Sequence, residues 1–112
     1  MSRRNATRAR WAHAAPIFAA LGDETRLALV SRLGEGPLSI TRLTEGSNVT
    51  RQAITKHLEV LSEVGLVRDE RNGRQRLWVV ESAQLEAARR CLDEISAEWD
   101  AALLRLKDFV ET

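Results

Sequence analysis

A mainly helical fold with one small β-hairpin is predicted from three observations. Apolar residues recur at three- and four-residue steps in several separate segments. Asn72-Gly73, the strongest short hairpin signal, lies between two short runs that read as strands. From Ser82 onward neither Pro nor Gly interrupts a helical pattern that runs to about Val110.

The elements follow in order. Residues 1–10 hold Arg3, Arg4, Arg8 and Arg10 without an acid and read as a mobile arm. Pro16-Ile17-Phe18-Ala19-Ala20-Leu21 reads as a short helix, with Pro16 tolerated in its first turn and Gly22 ending it. Asp23 is suited to cap a second helix, with Leu27, Val30 and Leu33 as its apolar stripe and Gly34 or Gly36 as its stop. Ser39 is suited to cap a short third helix that turns Ile40 and Leu43 inward. The polar stretch Glu45-Gly46-Ser47-Asn48 makes a turn, and Thr50 caps a fourth helix running to about Val64, with Gly65 at its end. Leu66-Val67 starts the first strand, and the return strand runs from Gln75 to Val80. Two short helices joined by a tight turn and followed at once by a hairpin outline a winged helix-turn-helix. The expected division is an arm at 1–10, a winged core at 11–81 and a terminal helix at 82–112.

Bulk composition is that of an ordinary globular protein: 112 residues, 44% hydrophobic, 29% charged, formal net charge +1. The distribution of charge is more informative. Residues 48–80 carry six bases against four acids, whereas Glu81 onward carries eight acids against four bases. Such a molecule is polarised, as expected if one face meets phosphate. Cys91 is the only cysteine, which leaves no intrachain disulfide and makes a reducing cytoplasm the default location. Ser2-Arg3-Arg4 lacks the apolar run of an export signal, and no membrane span is expected.

On a helical wheel Ile54, Leu58 and Leu61 define the inner face of the fourth helix, with Ala53 and Val64 beside it. Gln52, Thr55, Lys56, Glu59 and Glu63 lie opposite, with Arg51 on the flank. Gln pairs bidentately with adenine, Arg or Lys pairs with guanine, and a Thr methyl packs on thymine, so this face can read base edges. It is also what any solvated helix offers; the turn before it and the hairpin after it favour DNA. The hairpin tip carries Arg71, Arg74 and Arg76, a positive finger suited to phosphate or the minor groove. Thr50, Arg51, Gln52, Thr55, Lys56, His57, Arg71, Arg74 and Arg76 are therefore the candidate DNA-contacting set. His57, at the edge of the buried face, is open to packing, to hydrogen bonding or to a phosphate contact. Trp78 is assigned to packing.

The last helix bears a seam of Leu85, Ala88, Leu92, Ile95, Trp99, Ala102, Leu106 and Phe109 in alternating three- and four-residue steps. A domain this small has no internal partner of that length. A homodimer through the terminal helices is expected, with Phe18 joining the seam and Leu103, Leu104 and Val110 widening it. No Gly-rich phosphate loop or nucleophile–base pair is present, and His13, His57 and Cys91 are scattered. The expectation is no enzyme, no cofactor and no metal site.

Phe18-Ala19-Ala20-Leu21-Gly22-Asp23-Glu24-Thr25-Arg26-Leu27 resembles the opening signature of ArsR-type repressors. Thr50 through Leu61 resembles their recognition helix, and Gly65-Leu66-Val67 with Asn72-Gly73-Arg74 through Trp78 resembles their wing, with Trp where Tyr is frequent. The resemblance covers about residues 16–80. It implies a homodimer on an inverted-repeat operator in double-stranded DNA, with repression relieved by an inducer. The metal-sensing branch carries Cys-x-Cys in the third helix, where this chain has Ile40-Thr41-Arg42-Leu43-Thr44, so that thiolate site is not formed. Asp93, Glu94 and Glu98 read as a solvated face rather than as ligands. Two alternatives stand beside the repressor: a winged protein-interaction module, and a switch responsive to a thiol reaction or a small molecule, through Cys91 or an interface pocket near Trp99.

Overall fold

The computed structural model describes the backbone of residues 3–111 and the side chains of residues 11–111. Five helices and one hairpin follow each other: α1 (Arg3–Leu21), α2 (Glu24–Leu33), α3 (Ile40–Thr44), α4 (Arg51–Glu63), β1 (Val67–Asn72), β2 (Gln75–Val80) and α5 (Ser82–Glu111). No described helix is long and apolar enough to cross a membrane.

The first helix begins well before Pro16, contrary to expectation, and takes residues 3–10 into a continuous helical backbone. Ala and Arg are strong helix formers and need no apolar periodicity to extend a helix that is anchored further on. Ala14, Ile17 and Ala20 anchor it in the core, while Pro16 lies on the exposed side. There the carbonyl left without an N–H partner one turn earlier faces water, which limits the cost of an internal proline. DNA contacts by the side chains of 1–10 lie outside the described residues.

Local capping sets the next boundaries. The Asp23 carboxylate accepts the Arg26 backbone N–H at 3.0 Å, and Ser39 Oγ accepts that of Arg42 at 3.2 Å. Thr50 Oγ1 accepts the Ala53 N–H at 3.1 Å. In α2 the apolar stripe differs from the expected one: Leu29 and Leu33 are buried, Val30 is half-buried, and Leu27 is 53% exposed. Leu29 and Leu33 are four apart and share one face, whereas a three-residue step from Leu27 drifts off it. Gly65, at φ +78, ends α4 in the left-handed conformation that lets the chain turn into β1.

The hairpin is antiparallel, pairing Val67 with Val80 through Asn72 with Gln75. Its two-residue loop is Gly73-Arg74, one position later than the expected Asn72-Gly73. Gly73 takes φ +67, and among the described residues no non-glycine residue has positive φ. Glycine first in the loop is the pattern of a II′ turn, which suits the twist of paired strands and spares Asn72 a left-handed backbone. The shift puts Arg74 at the tip itself.

One core joins these elements. Ile17, Leu29, Leu33, Leu43, Ile54, Leu58, Leu61, Leu66, Val67 and Trp78 are buried together, with Ala88 of α5 beneath them. A further link ties the hairpin to the helices: Leu38, just before α3, exchanges two backbone hydrogen bonds with Trp78, at 3.2 and 2.8 Å. The radius of gyration is 18.7 Å, against roughly 13 Å for a compact domain of this length. The excess reflects α5, which at 30 residues spans about 45 Å. Its side chains beyond Ala102 are all exposed.

Two outcomes follow. Leu58→Ala, which empties a fully buried position of α4, is expected to cost about 3 kcal/mol in urea unfolding. Acceptance of the Arg26 N–H, aided by the charges of His57 and Arg26, holds the Asp23 carboxyl below the usual aspartate range despite partial desolvation. A lowered native pKa stabilises the fold above the unfolded-state value, and that stabilisation fades as pH falls through the native one. The stability gap between parent and Asp23→Asn is therefore expected at neutral pH and shrinks below about pH 4. Urea midpoints across that range check it.

Candidate nucleic-acid interface

Burial of Ile54, Leu58 and Leu61 turns the opposite side of α4 outward. Arg51, Gln52 and Lys56 are exposed on it, and Thr55 is half-buried at its edge. Thr50, Gln52, Thr55, Lys56 and Glu59 line one shallow hollow on this surface. Two hydroxyls there already have structural duties. Thr55 donates to the Arg51 carbonyl one turn back at 2.9 Å, which leaves its methyl and oxygen lone pairs for an incoming ligand. Thr50 uses its oxygen as the cap, so its O–H stays available to donate.

His57 is placed differently from the other members of the predicted set. Its ring is half-buried against the start of α2, with Nδ1 3.3 Å from Arg26 Nη1 and 3.9 Å from the Asp23 carboxylate. The ring thus belongs to a junction of α1, α2 and α4, because Arg26 Nε also donates to the Ala20 carbonyl at the end of α1.

On the wing, Arg71, Arg74 and Arg76 are exposed. Arg71 and Arg76 are register partners across the strands, an arrangement of like charges that is unfavourable by itself. Arg76 is held on both sides: Nε donates to Asp69 at 2.8 Å, and the guanidinium lies 5.2 Å from the Trp78 ring centre. The Arg71 and Arg74 side chains make no hydrogen bond or ion pair among the described residues. Arg68, by contrast, is committed to Glu81 and Glu70 at the root of the hairpin. Trp78 is buried, in keeping with its assignment to packing.

Sequence reasoning missed two arginines that position this face. Arg26 is one; the other is Arg32, which donates to the carbonyls of Leu43 and Arg42 at 2.9 and 3.0 Å and so closes the C-terminal end of α3. Arg26 stands in the opening signature, but nothing local marks either side chain as a link between helices.

The predicted seam divides along α5. Ala88 is buried, as is the neighbouring Cys91, and Leu85, Ile95 and Ala102 are half-buried. Leu92, Leu106, Trp99 at 65% and Phe109 at 80% are exposed, and Phe18 of α1 is half-buried. Among the described residues no cluster of three or more His, Cys, Asp or Glu side chains could hold a metal ion.

Comparison with known proteins agrees with this geometry. Residues 21–70 match a family described as a helix-turn-helix domain. An HTH-type transcriptional regulator of Mycobacterium tuberculosis is 36% identical over 93 residues, covering 83% of this chain and 84% of its own length. The arsenical resistance operon repressor of Escherichia coli is 38% identical over 64 residues, covering 56% of this chain and 52% of its own. The solved structure of an ArsR-like transcriptional regulator from Rhodococcus sp. RHA1 superposes with a TM-score of 0.76 at 39% identity, covering 88% of this chain and 93% of that one. The chain belongs to the ArsR family of winged helix-turn-helix proteins and is a DNA-binding transcriptional regulator.

Proposed function

We propose that the protein is a homodimeric repressor that binds an inverted-repeat operator and blocks a promoter by occupying it. The observation that carries this reading is the shared exposure of the start of α4 and the wing arginines on a frame fixed by the core. Gln52, Thr55 and Lys56 would meet base edges in the major groove, with Thr50 and Arg51 at the adjoining backbone. Arg71, Arg74 and Arg76 would meet phosphate or the minor groove. The reducing cytoplasm suits its single thiol. Release by a small-molecule inducer is the remaining part of this reading.

Dimerisation would bring two copies of α4 to successive major grooves about one helical turn apart. It is supported by the apolar face of α5, exposed at Leu92, Trp99, Leu103, Leu106, Phe109 and Val110. A continuous patch of that kind is unusual on a monomer.

Anisotropy titration with DNA from upstream of the protein's own gene, against scrambled DNA, tests the reading at two salt concentrations. Tight, sequence-preferring binding that weakens steeply with salt is expected; weak binding without preference would favour a protein-interaction module instead. Gln52→Ala and Lys56→Ala are expected to lose about 1–3 kcal/mol of operator preference each. Arg74→Ala should weaken operator and scrambled DNA alike. For the dimer, Ile95→Glu combined with Trp99→Glu is expected to give monomers by light scattering, and an intact dimer would contradict the assignment of the seam.

A further inference from the structure

Between α3, the start of α4 and β2 lies a second cleft of about 570 Å³, with Arg42, Glu45, Arg51, Thr55, Arg76 and Trp78 among the residues that line it. It opens on the same side as the proposed groove-reading face, since Thr55 borders both hollows. Three guanidinium groups meet there on three different elements. Arg51 has no ion pair among the described residues, whereas the other two are each engaged by a carboxylate. Arg76 is bound by Asp69 at 2.8 Å, and Arg42 Nη1 lies 3.4 Å from Glu45.

We propose that this cleft seats a DNA backbone phosphate, and that Asp69 and Glu45 occupy the phosphate's place on Arg76 and Arg42 while DNA is absent. The inference rests on the DNA-binding reading and adds to it a set of residues, Arg42, Glu45 and Asp69, that the recognition helix and wing tip do not include. The chemistry follows from what each partner offers. A carboxylate and a phosphodiester both accept paired N–H bonds from guanidinium. All four side chains are 48–70% exposed, so the internal pairs are weak and exchangeable. Arg76 keeps its place whichever anion it meets, because the Trp78 ring lies against it. Asp69 engages only Nε, and the two terminal nitrogens of Arg76 have no hydrogen bond among the described residues. The like-charged register pair Arg71–Arg76 has a use here, since two guanidinium groups side by side suit a polyanion. The acids lower affinity for DNA in general, so stable binding falls to sites where α4 adds base contacts.

The test compares Arg42→Ala, Arg76→Ala, Asp69→Asn and Glu45→Gln with the parent in salt-dependent titrations of operator and scrambled duplexes. Matched thermal melts establish that each variant is folded. Loss of either arginine is expected to flatten the slope of log K against log salt by about 0.9 per phosphate contact, once for each protomer. Asp69→Asn and Glu45→Gln are expected to tighten binding several-fold, more on scrambled DNA than on operator. If the parent binds its operator and both arginine variants keep its slope, the phosphate seat is overturned while the DNA-binding reading stands. If Asp69→Asn weakens binding, the carboxylate orders Arg76 rather than competing for it, and the exchange is overturned. A parent that binds no DNA overturns the underlying reading and the seat together.

Discussion

Two backbone hydrogen bonds between Leu38 and Trp78 decide where the wing stands relative to the helices. A two-stranded hairpin is marginal by itself. Here its second strand is stitched to the residue that leads into α3, and its central side chain is buried. Leu38 immediately precedes the Ser39 cap, so the start of α3 and the middle of β2 are held as one unit. Arg76 lies two residues from that stitch, on the same side of the strand as Trp78 and against its ring. The position of the Arg76 cation is thus set by a buried contact beneath it. Loss of the bridge would leave the wing held by its buried side chains Val67 and Trp78 and by the root of the hairpin.

The arginines divide by the company they keep. Arg26 and Arg32 donate to main-chain carbonyls at the ends of α1 and α3, where helices leave acceptors unsatisfied. They work as rivets between elements. Arg42 and Arg76 face carboxylates on an exposed surface, and Arg51, Arg71 and Arg74 face solvent. The second group contributes little to stability and leaves strong donors available for a polyanion. An overall charge of +1 conceals this arrangement, because the acids of α5 balance the total while lying elsewhere in the sequence.

Features governed by local chemistry were legible in the sequence. Asp23, Ser39 and Thr50 cap where their side chains suggest, and Gly65 ends α4, because a cap needs only its own neighbours. The inner face of α4 was legible because three apolar residues at helical spacing leave one choice of side. What was misread depends on partners far along the chain or on small energy differences. Leu27 fits a three-residue step as well as Leu29 fits a four-residue one, and only the packed core decides between them. Nothing in the Ala- and Arg-rich start shows that α1 continues to Arg3. The hairpin loop moved by one residue because register is fixed along the whole ladder rather than by the Asn-Gly pair alone. The Leu38–Trp78 bridge and the Arg26–His57 contact join residues 40 and 31 positions apart, and single-sequence patterns carry no trace of such pairs.

Whether two copies of this face read DNA together is decided by selecting bound sites from a random duplex library. Joint reading is expected to enrich an inverted repeat whose half-sites are centred about 10 base pairs apart, or a multiple of that spacing. Enrichment of a single asymmetric half-site, or of no sequence at all, would contradict it.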